Sequence, residues 1–154
     1  MRKFLPLVMG LLLFGTVAAR ADDVKPNMSG TWKLDPARSQ LDQTNILALV
    51  IDEQGGKIHV KETRGPDPQE DVSEFTCGTM GVDCPMLDGS DAKAIVSVYY
   101  NGPLLVVLKT HGRKGSSVEK QRLSLSPTGD ALTVEIMHIE PEGKPERLVF
   151  SKAH

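Results

Sequence analysis

Short apolar segments that alternate with polar positions run through most of this chain. Most are joined to the next by a short polar turn. Gly30, Trp32 and Leu34 share one side of an extended segment, and Thr31 and Lys33 share the other. Ile46 to Ile51 is an apolar run closed by Asp52-Glu53-Gln54-Gly55-Gly56. Ile58 and Val60 alternate with Lys57, His59 and Lys61, and Arg64-Gly65-Pro66-Asp67-Pro68 reads as a loop. Val72 to Cys77 predicts a strand ending in a tight turn. Further strands are expected over 92–100, 104–111, 118–125, 132–137 and 146–152. Turns lie between them at Asn101-Gly102-Pro103, Gly112 to Ser116, Pro127 to Asp130 and Glu140 to Pro145. Beyond the N-terminal leader no segment sustains a 3.6-residue apolar period, so helix is expected only as one short turn after the cap-like Asp35-Pro36. Eight or nine strands joined by short turns form an antiparallel meander, and a meander of that size removes its edges by closing. The expected fold is therefore all-β: a single up-and-down antiparallel β-barrel of about 8–9 strands.

The N-terminus departs from this pattern. Arg2 and Lys3 precede an apolar stretch from Phe4 to Ala18, and Ala19-Arg20-Ala21 fits the small-x-small rule for cleavage before Asp22. Residues 1–21 are expected to be a signal peptide and 22–154 the barrel domain. The apolar stretch is short for a membrane span and no second one follows, so stable membrane insertion after cleavage is not expected. A periplasmic or secreted location follows.

Cleavage removes 21 of 154 residues, including Arg2, Lys3, Arg20 and no acid, leaving 15 basic against 20 acidic residues. An acidic, mixed surface argues against nucleic acid as a partner, because phosphate binding needs a basic stripe. The two cysteines, Cys77 and Cys84, read as a structural disulfide in an exported protein.

The register of the hairpin around Asn101-Gly102-Pro103 decides which side chains line the interior. Proline lacks the N–H that a two-residue Asn-Gly turn would require of residue 103. A three-residue loop instead sets Tyr100 opposite Leu104, Val98 opposite Val106 and Val96 opposite Leu108. That pairing makes one face wholly apolar, with Lys109 and His111 on the other. In the next hairpin, Leu125 opposite Leu132 places Gln121 opposite Ile136 and Glu119 opposite His138, so the inner face turns polar toward one end. The candidate ligand-lining residues are thus Val96, Val98, Tyr100, Leu104, Val106, Leu108, Gln121, Glu119 and His138. The Glu119–His138 pair reads as solvated strand ends, as polar ligand contacts, or as a general base with its orienter. His59, His111 and His154 look outward or terminal.

Gly30-Thr31-Trp32 resembles the G-x-W that opens the first strand of lipocalins, and Ser29 to Leu34 resembles the start of the related fatty-acid-binding proteins. The mature chain is similar to short secreted bacterial proteins of lipocalin-like pattern in four places. These are Ser29 to Asp35, the Cys77/Cys84 turn, Tyr100-Asn101-Gly102-Pro103, and the turn from Pro141 through Gly143 and Lys144 to Pro145. The resemblance implies a lipocalin-like barrel with Trp32 at its floor. It departs from lipocalins in showing no C-terminal helix, and the candidate for a late arginine over the tryptophan, Arg147, has outward parity. It departs from fatty-acid-binding proteins in lacking a helix pair after the first strand and an evident arginine pair for a carboxylate.

No glycine-rich loop opens a helix, no serine sits in a nucleophile elbow, and no histidine or cysteine cluster has metal-ligand spacing. The chain is read as a non-enzyme with no cofactor: an exported barrel for a small apolar ligand, or alternatively a filled barrel serving as an envelope structural or protein-interaction module.

Overall fold

A computed structural model describes residues 25–42, 45–65, 71–89, 94–112 and 117–154; the expected leader and its cleavage site lie outside them. Ten antiparallel strands close into one barrel. They are β1 (Gly30–Leu34), β2 (Ile46–Gln54), β3 (Lys57–Arg64), β4 (Val72–Gly78), β5 (Cys84–Asp88), β6 (Ala94–Asn101), β7 (Leu104–His111), β8 (Ser117–Leu125), β9 (Ala131–Glu140) and β10 (Glu146–Lys152). Neighbours in sequence are neighbours in the sheet, and β1 pairs with β10 to complete the ring. Closure leaves no free edge for another chain to extend. Asp35 caps a single 3-10 turn, Pro36–Arg38, by accepting from the Ala37 amide at 3.1 Å. Among the described residues no helix is long and apolar enough to cross a membrane.

The ring has ten strands where the pattern predicts eight or nine. The extra one is β5, whose Pro85 disguises it. Proline cannot donate to a ladder, so a central strand containing it reads as a loop. Pairing with β4 runs from Ser73↔Asp88 to Phe75↔Met86 and stops there, one residue short of Pro85, while on the other side Pro85 lies opposite Ile95 of β6.

The β6–β7 hairpin overturns the three-residue loop. Asn101 pairs with Leu104 and Tyr100 with Leu105, so the turn is the two residues Gly102-Pro103. Gly102, at φ 58°, takes the first turn position, where positive φ requires glycine. Pro103 takes the second, whose N–H the turn does not use, so the missing donor costs nothing. A shift of one residue exchanges the faces of β7. Leu104, Val106 and Leu108 consequently leave the interior, and Leu105, Val107 and Lys109 enter it. Val96, Val98 and Tyr100 keep inward parity; Val96 and Val98 are packed core, and Tyr100 packs against it.

One end of the interior is filled by apolar side chains. Trp32, Met28, Phe150, Ile58, Leu132 and Leu148 are fully buried there. The indole N–H of Trp32 donates to the Met28 carbonyl at 3.1 Å, so the segment before β1 closes this floor. The cation over the indole is Lys152, 5.5 Å from the ring and opposite Trp32 in the β1–β10 register, while Arg147 is exposed. The motif's glycine has its reason here. A Cβ at Gly30 would stand 3.0 Å from the Lys152 side chain and 3.5 Å from the indole nitrogen. Tyr100 also belongs to the floor: its hydroxyl meets the Glu53 carboxylate at 2.8 and 2.9 Å and the Pro26 carbonyl at 3.3 Å. Burial, and then Glu53, push its pKa up.

The disulfide expected between Cys77 and Cys84 is formed, with Cα atoms 5.7 Å apart. Closing so short a loop should contribute about 2.5 kcal/mol through the unfolded chain. Replacing both cysteines by alanine should lower the urea-unfolding free energy by roughly that amount and leave the far-ultraviolet circular dichroism that of a barrel.

Candidate functional site

The other end of the interior, the mouth, is polar, and strand parity places each group. β3 alternates Ile58, Val60, Glu62 and Arg64 inward, and β7 continues Leu105, Val107, Lys109 and His111. Ser73 (β4), Asp88 (β5), Glu119 and Gln121 (β8), His138 (β9) and Glu146 (β10) complete a belt around the mouth. His111 is therefore inward, against the expectation that it faces outward.

The belt has a deep and a shallow layer. In the deep layer Lys109, fully buried, donates to the carboxylate of Glu62, also fully buried. Glu62 accepts further from Arg64 and from the Ser73 hydroxyl, both at 3.1 Å. Burial pushes the Glu62 pKa up, but the adjoining Lys109 and Arg64 charges and the hydrogen bonds outweigh it and hold the value at about 2, against an ordinary 4.5. Arg64 also stands 3.7 Å from Asp88, whose other oxygen meets His111 Nδ1 at 3.0 Å.

In the shallow layer Glu119 and His138 are directly opposite, in the register read from the sequence. His138 Nδ1 is 4.0 Å from Glu119, and its Nε2 is 2.9 Å from Glu146. The Gln121 amide donates to the remaining Glu119 oxygen at 2.8 Å. Glu119 and His138 are mostly covered rather than solvated. A depression of about 310 Å³ opens over them, lined by Asn45, Arg64, Asp71, His111, Ser117, Glu119 and His138. A second, of about 240 Å³, lies between Glu119, His138 and the Glu140–Gly143 turn. That turn lies against His138, since a Cβ at Gly143 would stand 3.1 Å from the His138 Cβ and 3.4 Å from its ring.

Among the described residues, four inward carboxylates (Glu62, Asp88, Glu119 and Glu146) stand against the cations Arg64 and Lys109, and both cations already face carboxylates. The mouth can thus accept hydrogen bonds and hold positive charge, and it disfavours a further carboxylate. Among the described residues no three His, Cys, Asp or Glu side chains are arranged to hold a metal ion.

Of the residues singled out from the sequence, Glu119, Gln121 and His138 meet at the mouth. Val96 and Val98 fill the core, Tyr100 closes the floor, and Leu104, Val106 and Leu108 lie on the outer face, where Val106 is nonetheless buried. Sequence reasoning missed Glu62, Arg64, Asp88, Lys109, His111 and Glu146. Extending the parity of Ile58 and Val60 would have found Glu62 and Arg64, and extending that of Phe150 and Leu148 would have found Glu146. Lys109 and His111 required the hairpin register.

Glu62 makes stability depend on acid. Its folded pKa lies below its unfolded one, so its contribution is complete above about pH 4.5 and is lost as pH falls toward 2. The span corresponds to about 3 kcal/mol. Urea unfolding at pH 7, 5, 4 and 3 should show that decline, and Glu62→Gln should flatten it.

No family model and no curated protein matches the chain. Solved structures do. A fatty acid transporter designated REP1-NXSQ superposes with a TM-score of 0.61 at 10% identity over 82% of this chain and 96% of that one. Secretory abundant heat soluble protein 4 from Ramazzottius varieornatus gives 0.59 at 14% identity over 82% and 95%. The fatty-acid-binding protein isolated from Manduca sexta gives 0.50 at 15% over 68% and 71%. At such identities the fold is what they share with this chain: a closed antiparallel β-barrel of lipocalin-like form.

Proposed function

We propose that this protein is an exported, non-enzymatic barrel that holds one small molecule at its polar mouth. The observation that carries the reading is the roughly 310 Å³ depression into which Arg64, His111, Glu119 and His138 converge from four strands. That volume suits a small ligand, and convergent polar groups in a concavity are what orient one. Two of the solved structures of similar fold are named for fatty acids, which supports a ligand with an apolar part. The electrostatics of this mouth favour a polar end that is cationic or neutral. Leu47 and Ile139, exposed at the mouth ends of β2 and β9, offer apolar surface beside it. Export is supported by the leader-like N-terminus and by the disulfide, which persists in oxidising compartments.

Thermal unfolding with dodecylammonium, dodecyl maltoside and laurate below their critical micelle concentrations tests the reading. A ligand at a hundred times its Kd stabilises by about 2.7 kcal/mol, a rise of roughly 8 °C for a chain of this size. The amine or the neutral amphiphile should give such a rise in wild type and a much smaller one in Glu119→Gln/His138→Ala. Equal rises in both proteins, or none with any ligand, would defeat it.

The filled half of the barrel favours a second reading, an interaction module. Trp32, Phe150, Leu132 and Ile136 occupy the interior with their side chains fully buried, and eight- to ten-stranded barrels can be closed by side chains alone.

A further inference from the structure

We infer that the outer face of β4, β5 and β6, with the disulfide-bound loop between β4 and β5, is the seat of a twofold contact with a second copy of this chain. The face carries an apolar knob. Met80 and Val82, at the tip of the loop, are 83% and 66% exposed. Exposed tips are ordinarily mobile and polar, but this one is pinned on four sides. The Cys77–Cys84 bond closes its base, the Thr79 amide donates to the Gly56 carbonyl at 3.1 Å, the Gly81 amide donates to the Val98 carbonyl at 2.8 Å, and Met80 bridges to Tyr99. A loop backbone held in place before binding loses little freedom on binding.

The same face carries an apolar hole. β4 and β5 stop pairing at Phe75↔Met86, and Pro85 has no N–H with which to resume. A depression of about 310 Å³ opens there, lined by Phe75, Thr76, Pro85 and Leu87 with Glu74 at one side. Leu87 is 75% exposed. Exposed Ile95 and Tyr99 of β6 continue the face, Ile95 opposite Pro85. Glu74, at the side of the depression, is hydrogen-bonded to His59 at 2.7 Å.

A knob beside a hole on one face is self-complementary. A twofold axis between them sends the knob of each copy into the hole of the other, as an isologous interface requires. The exposed parts of Met80, Val82, Leu87, Ile95 and Tyr99 amount to roughly 550 Å², near the upper end of what single chains expose. A standard interface takes roughly 800 Å² from each partner, of which about 60% is apolar. The patch supplies that apolar share, and the polar rim around it supplies the rest.

Sedimentation equilibrium of the leader-free, oxidised chain from about 5 to 500 μM tests the contact. Wild type should move from monomer to dimer across that range. Met80→Glu/Leu87→Glu changes only exposed side chains and should raise the dimer dissociation constant at least ~tenfold, as loss of about 1.4 kcal/mol would. Val50→Glu, on β2 and likewise exposed, should leave it unchanged. A wild-type protein that stays monomeric at 500 μM overturns the inference, as does a dimer indifferent to the β4–β6 pair of changes. A monomer that co-sediments with phosphatidylcholine vesicles through Met80 and Leu87 also overturns it and assigns the face to a bilayer surface.

Discussion

Glu62→Ala should lower the free energy of unfolding by about 3–5 kcal/mol, the cost of stranding a buried charge. Lys109 is fully buried and its carboxylate partner is Glu62. Without that partner the ammonium must remain charged in a medium that solvates it poorly, or give up its proton. Arg64 loses the carboxylate at 3.1 Å at the same time. Lys109→Met alone should cost less, because Glu62 keeps Arg64 and the Ser73 hydroxyl. The double variant Glu62→Leu/Lys109→Met removes both charges and replaces them with side chains of similar size. It should be within about 1 kcal/mol of wild type or more stable, as buried pairs exchanged for apolar groups often are. Urea unfolding of the three variants measures the coupling. If Glu62→Ala stays within about 1 kcal/mol of wild type, the Lys109 ammonium has another route to water or to an acid, and the deep layer is not organised as described.

Trp32→Ala should also cost about 3–5 kcal/mol, the range for deleting a large buried aromatic side chain. The loss has separable parts. Most is packing, since Trp32 is fully buried among the floor residues. The bond from its Nε1 to the Met28 carbonyl contributes about 1 kcal/mol, and the Lys152 ammonium over the ring contributes roughly 0.5–2 kcal/mol. Trp32→Phe keeps much of the packing and loses the hydrogen bond, so it should fall well short of the alanine cost. A cycle with Lys152→Ala isolates the cation. Circular dichroism is the probe for the variants, since Trp32 is the only tryptophan. In wild type its fluorescence should be blue-shifted in the folded state and move red in urea. Emission already red in native buffer would mean that the floor is open.

Much of this fold was legible in the chain because a strand's period is two, and period two sorts residues into inside and outside without knowledge of partners. Trp32, Ile58, Val60, Leu123, Leu132, Leu148 and Phe150 declared themselves that way, and all are in the core. The opposition of Glu119 and His138 was legible because the turn from Ser126 to Asp130 fixes the β8–β9 register and leucines flank it on both sides. β5 was hidden because its proline contradicts the statistics of strands; a barrel tolerates it where the ladder has already lapsed.

The amino-acid sequence by itself determined that the chain is a run of short strands, which residues of each strand share a face, and that Cys77 and Cys84 lie close enough to join. Those are local properties, set by side-chain alternation and by turns a few residues long. Tertiary structure alone decided that ten strands close the ring, that Lys152 rather than an arginine covers Trp32, and that Lys109 of β7 meets Glu62 of β3. No local pattern brings β3 and β7 together. They meet across the barrel interior because closure turns every inward face toward one axis. A single-residue choice at Gly102-Pro103 then decides whether leucine or lysine arrives there.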